Sequence, residues 1–335
     1  MSDIIDVAKL AKVSTATVSR FLNKPEVVKS STRKRIQEAI KELGYRPSPI
    51  AQSMRRQATK YIALVLEDMS NPFYTEVLNG AEYSALENGY NIVVLNINKE
   101  QDKKNYYFDI IYRRGFTGVI YCFTMHEEDE EILKKLNDEG VHFALIENEL
   151  FKEKYTCINT NNYKGGYQAA EYLLKNGHKQ IAAIGASSFH DQMNSRKEGF
   201  IDCLKDNSVD FNQDLLFETS LSIDGGIKIG EDIYNNRKRF TAVFSFSDII
   251  SIGLMRYLKS KSINIPDEIS LLSFDDIEWA KIVTPPLTTV HQRKRKLGLK
   301  AVESVVKSIN GDLKQESIIL DTYIIDRETV KDINQ

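Results

Sequence analysis

The sequence of 335 residues has few cysteines and no long apolar run. Its three cysteines, Cys122, Cys157 and Cys203, are far apart and form no C-x-x-C pair, so they predict neither a disulfide framework nor a zinc site. No run approaches the roughly 18 apolar residues of a membrane span, and the polar N-terminus does not resemble a signal peptide. We therefore expect a cytoplasmic protein with reduced thiols.

Enzyme motifs are also missing. The chain has no G-x-G-x-x-G after its first predicted strand, no G-x-x-x-x-G-K-[ST] and no G-x-S-x-G. Its five histidines are scattered without the spacing of metal ligands. These absences predict a protein that is not an enzyme and that needs neither a cofactor nor a metal ion.

Two short apolar patterns lie side by side in "IIDVAKLAKVSTATVSRFLN", residues 4–23. Apolar positions recur at the spacing of one helix face in each pattern, first at Ile4, Val7, Ala8 and Ala11, then at Thr17, Val18 and Phe21. Between them Ser14 stands where a helix N-cap belongs. Two helices joined by so tight a turn predict a DNA-binding helix-turn-helix, with an ordinary helical hairpin as the alternative.

Charge is unevenly distributed, although the chain has 45 Lys and Arg against 47 Asp and Glu. Residues 1–60 carry thirteen basic and five acidic side chains, whereas the remaining 275 residues carry 32 basic and 42 acidic ones. A basic head on an acidic body is typical of a protein that places one end on phosphate. A solvated basic face without a ligand is the alternative.

A third helix and a linker follow the helix pair. The segment "TRKRIQEAIKELGY" has one apolar face, and Ser31 and Thr32 can cap its start. After two prolines, residues 50–55 can form a helix that is too short to be stable alone. The pattern predicts a headpiece over residues 1–46 and a conditional hinge helix within a linker over residues 47–60.

From Tyr61 onward, strand and helix patterns alternate. Strands are predicted at 61–67, 91–96, 118–123, 142–147, 180–185, 242–247 and 269–274, with helices at 73–88, 127–138, 162–175, 223–235 and 248–259. This alternation predicts an α/β fold with parallel sheets covered by helices, and its length predicts two doubly wound lobes. Ligands of such lobes bind outside the carboxyl ends of the strands.

Seven segments stand in the order expected for one known family: "DVAKLAKVSTATVSRFLN", "TRKRIQEAIKELGYRPSPIAQSMR", "NPFY", "LLKNGHKQIAAIG", "SRKEGF", "SLLSFDD" and "PPLTTVHQ". Together they resemble the LacI/GalR family of bacterial transcriptional repressors over essentially the whole chain. The resemblance implies a homodimer on a palindromic operator and a core like a periplasmic sugar-binding protein. We expect a first lobe of residues 61–159 with 291–318 and a second lobe of 160–290 with 319–335.

The resemblance places operator recognition on the second helix. The matching positions that would enter the major groove are Thr15, Ala16 and Arg20, and those that would hold phosphates are Ser14, Thr17, Ser19 and Asn23. An arginine fork suits guanine and contributes about 1–3 kcal/mol of base discrimination. A surface ion pair of Arg20 with Glu26 or Asp6 is the alternative.

The linker carries a second expected DNA contact. Met54 matches the position where the family inserts an apolar side chain, commonly leucine, into the minor groove beside Ala51. An unbranched methionine can fill the same gap between base steps. Packing of Met54 on the hinge of the dimer mate is the alternative.

The resemblance also implies an effector site between the lobes, formed by Phe73, Glu147, Arg196, Ser247, Asp248, Asp275 and Gln292. Carboxylates and a guanidinium can make paired hydrogen bonds to sugar hydroxyls, while Phe73 and Trp279 can cover the apolar face of a pyranose. A helix N-cap is the alternative role for Asp275.

The identity of the ligand stays open, because Ser247, Glu147 and Leu221 depart from the residues usual in the family. The basic run "HQRKRK" at 291–296 allows a sugar phosphate, or it is a solvated helix start. A phosphorylated carrier protein, as in the catabolite-control branch, is the alternative effector and would need a basic patch such as Arg113 and Arg114. We expect ligand binding to rotate the lobes, to separate the hinges around residues 48–55 and so to lower DNA affinity. A corepressor that favours the closed spacing, with the opposite sign, is the alternative.

Overall fold

The structure is a computed structural model that describes residues 4–23, 27–43, 60–97, 107, 110–111, 115–186, 191–312 and 314–334. The chain divides into two compact units, Met1–Thr59 and Lys60–Gln335, and each is described by itself. Ala51, Met54 and the predicted hinge helix lie outside the described residues.

The first unit contains the helices α1 (Ile4–Leu10), α2 (Thr15–Asn23) and α3 (Ser30–Leu43). They enclose one apolar core, formed by Val7, Ala8, Ala11, Val18, Phe21, Val28, Ile36 and Ala39. The hydroxyl of Ser14 accepts a hydrogen bond from the backbone N–H of Thr17 at 3.2 Å, as an N-cap does. Helix α3 begins at Ser30, so the predicted capping residues Ser31 and Thr32 lie inside its first turn.

The first lobe of the second unit is built on a six-stranded sheet. Its strands are β1 (Tyr61–Leu66), β2 (Asn91–Asn96), β3 (Gly118–Cys122), β4 (His142–Ile146), β5 (Cys157–Thr160) and β11 (Ser317–Leu320), and all of their pairings are parallel. The order across the sheet is β11-β5-β4-β3-β1-β2. The helices of this lobe are α4 (Pro72–Glu87), α5 (Glu130–Asp138) and α11 (Lys294–Ile309).

The second lobe repeats the architecture. Its strands are β6 (Ile181–Ala186), β7 (Leu216–Thr219), β8 (Ala242–Ser245), β9 (Ser270–Asp275), β10 (Thr288–His291) and β12 (Tyr323–Ile325), in the order β12-β10-β9-β8-β6-β7. Only the pairing of β10 with β12 is antiparallel within this described sheet. The helices are α6 (Asn162–Lys175), α7 (Asp191–Asp206), α8 (Ile223–Asn236), α9 (Asp248–Ser260) and α10 (Trp279–Ile282). No helix in the described part of the chain is long and apolar enough to span a membrane.

The chain crosses between the lobes after β5, after β10 and after β11. All three crossings differ slightly from the expected boundaries, the first because Thr160 still belongs to β5. His291 still pairs with Asp275 in the second sheet, and β11 continues until Leu320 pairs with Thr160 in the first. Strands of three or four residues carry too little periodicity for their ends to be located from the sequence.

Helices α4 and α11 cross with their backbones in close contact. A Cβ atom on Gly80 would lie 1.8 Å from the carbonyl oxygen of Arg295, and one on Gly298 would lie 1.9 Å from that of Val77. Only residues without a side chain permit this approach. The start of α11 is thereby held close to α4.

We expect Gly298→Ala to lower the free energy of unfolding by about 1–3 kcal/mol, because the two helices must move apart. The loss should exceed the gain of about 1 kcal/mol in helix propensity that alanine brings. Urea unfolding of the whole chain measures it, with Lys296→Ala on the exposed side of α11 as the control. A stabilised Gly298→Ala variant would contradict the close crossing.

Candidate effector cleft and DNA-recognition helix

A cavity opens between the two lobes at the carboxyl ends of the parallel strands. Its empty volume is about 550 Å³, part of which is open solvent. The position is the one at which parallel α/β sheets bind ligands. Five of the seven predicted ligand-binding residues line it: Phe73, Glu147, Arg196, Ser247 and Asp275.

The carboxylate of Asp275 is buried at the base of the cavity. It accepts hydrogen bonds from Ser247 Oγ at 2.7 Å, from Gln292 Nε2 at 2.6 Å and from Arg196 Nη1 at 3.3 Å. Its backbone φ of 120° is rare for a residue with a side chain and is stabilised by these contacts. The following helix α10 begins only at Trp279, so Asp275 is not the N-cap that the alternative required.

Arg196 projects from α7 and is almost fully buried. Its Nε donates to Asn162 Oδ1 at 2.9 Å, Nη1 donates to the carbonyl of Phe246 at 2.5 Å, and the guanidinium carbon lies 3.7 Å from the centroid of the Phe274 ring. Burial lowers the pKa of Arg196, and the charge of Asp275 opposes that shift. Nη2 has no acceptor among the described residues, so it remains available to a ligand.

Glu147 follows β4 and brings the first lobe into the network. Its carboxylate accepts hydrogen bonds from the backbone N–H of Thr160 at 2.7 Å and from Asn162 Nδ2 at 2.8 Å. Asn162 therefore bonds Glu147 of the first lobe and Arg196 of the second at the same time. A ligand between the lobes would contact both Glu147 and Arg196, the two residues that Asn162 joins.

Asp248 and Gln292 do not line the cavity, in contrast to the prediction of direct ligand contact. Both are fully buried behind it. Asp248 accepts hydrogen bonds from Thr289 Oγ1 at 2.7 Å and from the backbone N–H of Ile277 at 2.8 Å. Burial and the neighbouring charge of Asp275 raise the pKa of Asp248 to about 7. These two side chains position Asp275 and the turn that follows it.

Trp279 is also absent from the cavity wall, so the predicted stacking of an indole on a pyranose has no counterpart there. Phe73 is present, at the N-terminus of α4. Its backbone N–H donates to the side chain of the N-cap Asn71 at 3.0 Å. The apolar surface at this position therefore comes from the first lobe.

Lys294 departs from the prediction of a solvated helix start. It is buried, and its Nζ donates to the carbonyl oxygens of Asp275 at 2.5 Å and of Asp276 at 2.8 Å. Burial lowers the pKa of Lys294, and the nearby carboxylates oppose that shift. The missed signal was helical spacing, since Lys294 stands three residues before the buried Leu297 and so lies on the inner face of α11.

The cavity wall also contains residues that were not predicted, among them Glu67 directly after β1 and Tyr74 on α4. The phenol of Tyr74 donates to Glu67 Oε2 at 3.3 Å. The rule that ligands bind at strand ends could have found Glu67, because "YIALVLE" was already predicted as a strand that ends at this residue.

The predicted DNA-reading residues lie on α2 of the first unit or, in the case of Ser14, directly before it. Ser14, Ala16 and Arg20 are exposed, whereas Thr15, Thr17 and Ser19 are half-buried, and Asn23 ends the helix. Val18 and Phe21 of the same helix are buried. An amphipathic helix with this exposed face is suited to enter a DNA groove.

The two units define a class of protein, a two-lobed ligand-binding core preceded by a helix-turn-helix. A family model described as periplasmic binding proteins and sugar binding domain of LacI family matches residues 59–327, and one for bacterial regulatory proteins of the lacI family matches residues 3–48. The transcriptional repressor PurR of Vibrio parahaemolyticus is 31% identical over 336 residues, and that of Vibrio cholerae is 32% identical over 338 residues, with complete coverage of both chains in each case. The chain belongs to the LacI family.

Solved structures show the same fold. A lac repressor dimer bound to operator and the anti-inducer ONPF has a TM-score of 0.88 at 22% identity, covering 98% of this chain and 99% of that one. A LacI-family regulator from Enterococcus faecium with bound ribose has a TM-score of 0.74 at 24% identity, covering 82% and 100%. The predicted family and fold class are confirmed, and so is the prediction of a regulator and not an enzyme, because the relatives are repressors.

The carboxyl group of Asp276 is buried between two basic side chains. Its carboxylate accepts hydrogen bonds from His291 Nδ1 at 2.7 Å and from Arg327 Nη2 at 2.5 Å. Burial opposes ionisation, but these bonds and the charge of Arg327 outweigh it and lower the pKa of Asp276 to about 2.

A carboxyl with a lowered folded-state pKa stabilises the fold above its unfolded pKa of about 3.9, and this stabilisation is lost as the pH falls toward 2. Asp276→Asn should therefore lower the free energy of unfolding by about 2–3 kcal/mol at pH 7. The difference between the variant and the unchanged protein should shrink below pH 4. Urea unfolding between pH 7 and pH 3 measures it. The control is the exposed Asp267→Asn, and an equal loss in both variants would refute the prediction.

Proposed function

We propose that this chain is a repressor that binds a palindromic operator as a homodimer and that a small polyhydroxylated molecule in the cleft controls its DNA affinity. The cavity that Glu147, Arg196 and Asp275 line between the lobes carries this proposal. The proposal includes the division of the chain into a headpiece of residues 1–46, a linker of residues 47–60 and two lobes. A repressor acts on the chromosome, so we place the protein in the cytoplasm.

The headpiece would read DNA through α2. We assign base contacts to Thr15, Ala16 and Arg20, and phosphate contacts to Ser14, Thr17, Ser19 and Asn23. The exposed position of Arg20 in the last turn of α2 supports its role. A contact of Ala51 and Met54 with the minor groove stays a prediction, since both residues lie outside the described part of the chain.

The cleft has the chemistry for a polyol. Asp275 and Glu147 have carboxylate oxygens that accept hydrogen bonds from hydroxyls, and Arg196 offers Nη2 as a donor. Phe73 supplies an apolar face. This combination supports a sugar, in agreement with the sugar-binding family model that matches the core.

Control would arise because the ligand contacts both lobes. Gln292 already joins them, since its Oε1 accepts from Thr160 Oγ1 of the first sheet at 2.8 Å and its Nε2 donates to Asp275 of the second. A ligand that binds better in one relative position of the lobes shifts the population toward that position. An inducer and a corepressor would use the same residues with opposite sign.

A second copy of the chain accounts for apolar side chains that are exposed on the core. Tyr83 and Leu86 on α4 are 51% and 59% exposed, and Ile282 at the end of α10 is 71% exposed. Large apolar side chains that are exposed in the single chain are typical of an interface. Helix α4 also begins at the cleft with Phe73, so the same helix contacts both the effector and this face.

A phosphorylated carrier protein as the effector stays an alternative prediction. The proposed docking residues Arg113 and Arg114 lie outside the described residues. Glu127 and Glu128, on the same lobe, are exposed and would repel a phosphate group. No contact in the described structure favours this alternative.

Selection of bound duplexes from a random DNA library tests the role of the headpiece. We expect the full chain to enrich a palindromic site and Arg20→Ala to lose the preference at one guanine in each half, by about tenfold or more. Arg239→Ala removes an exposed arginine of the second lobe and serves as the control. Unchanged base preference in Arg20→Ala would remove Arg20 from the reading residues.

A thermal-shift screen against sugars, sugar phosphates and nucleobases tests the cleft. A ligand at 100 times its dissociation constant should add about 2.7 kcal/mol to the free energy of unfolding. Asp275→Asn should abolish the shift, because an amide has one oxygen that accepts hydrogen bonds where the carboxylate has two. The surface variant Asp267→Asn should retain the shift. A shift that survives Asp275→Asn would place the ligand elsewhere.

A further inference from the structure

The charged groups that line the cavity between the lobes are mainly negative. Among the described residues its charged side chains are the carboxylates of Glu67, Glu147 and Asp275 and the guanidinium of Arg196. The positive charge of Arg196 is already paired with Asp275 at 3.3 Å. Glu67 and Glu147 have no cationic nitrogen within 4 Å in the described part of the chain, so two carboxylates remain without a counter-ion.

These two carboxylates flank one strand end. Glu67 follows β1 and Glu147 follows β4, and both strands pair with β3, which ends at Cys122. Burial and the charges of Glu147 and Glu67 raise the pKa of the Cys122 thiol, so the negative potential reaches the floor of the cavity. Glu67 accepts one hydrogen bond there, from the phenol of Tyr74.

The basic run 291–296 does not offset this charge. Arg293, Arg295 and Lys296 are exposed and line a different cavity. The ammonium group of Lys294 donates to two backbone carbonyls behind Asp275. A phosphate group in the cleft would therefore face two uncompensated carboxylates, with only the paired guanidinium of Arg196 to attract it.

The remaining groups complement a cation that also carries hydroxyls. Nη2 of Arg196 belongs to an almost fully buried side chain, lacks an acceptor among the described residues and can donate to a ligand oxygen. Phe73, Tyr74 and Phe123 provide aromatic surface in the same cavity. Carboxylates and aromatic faces together bind protonated amines well.

We propose that the effector carries a protonated amine on a polyol scaffold, as an amino sugar does, and that Glu67 selects for the amine. The inference rests on the proposed function, because it takes the cleft as the effector site. It excludes the sugar phosphate that the basic run suggested. It also adds a specificity role for a residue that the family resemblance did not mark.

Thermal shift of the full chain at pH 7 tests the proposal with D-glucosamine, D-galactosamine and D-mannosamine, the parent hexoses and the hexose 6-phosphates. We expect at least one amino sugar to raise the melting temperature more than its parent hexose, and no shift from the phosphates. Glu67→Gln should weaken amino-sugar binding about tenfold, the effect of losing a charged hydrogen-bond partner, and leave hexose binding unchanged. Glu128→Gln, an exposed change that does not line the cavity, should leave both unchanged.

A hexose or a hexose 6-phosphate that binds as tightly as every amino sugar would overturn the amine selectivity while leaving the effector site in place. An amino-sugar shift that Glu67→Gln does not reduce would also overturn it. No shift from any compound in the panel would count against both the inference and the proposed function.

Discussion

The buried ion pair between Asp275 and Arg196 is the interaction on which the cleft depends. Two charges removed from water are stable only when further hydrogen bonds satisfy them. Ser247 and Gln292 bond Asp275, while Asn162 and the carbonyl of Phe246 bond Arg196. The backbone of Asp275 has a φ of 120°, a strained value that persists where the surrounding contacts hold the residue in place. The geometry of the cleft therefore depends also on Asn162, Phe246 and Gln292, which do not line the cavity.

The same network extends to the junction of the lobes. Lys294, the first residue of α11, donates to the carbonyls of Asp275 and Asp276. Helix α11 in turn crosses α4 at Gly80 and Gly298, where the helix backbones touch. Packed elements shift as units and do not deform gradually, so a displacement of Asp275 by a ligand has a physical route to α4.

Long, strongly periodic elements could be predicted from the sequence. Strand β2 and helix α6 have the same bounds in the structure as in the prediction, because their apolar patterns repeat over several positions. Strand β11, with four residues, and β12, with three, have no such pattern, since their side chains are mostly half-buried or exposed. Their pairing in the sheets comes from tertiary contacts, which an isolated segment does not encode.

The sequence by itself determined the family, the basic head and the residue types at the strand ends, because motifs and charge are local properties of the chain. Only the tertiary structure decided which side chains face the cavity. Asp275 lines the cavity, whereas Asp248 is buried behind it. Lys294 is also buried, although the residues around it form an exposed basic run. Glu67 became a cleft residue for the same reason, since burial and orientation depend on elements that are distant in the chain.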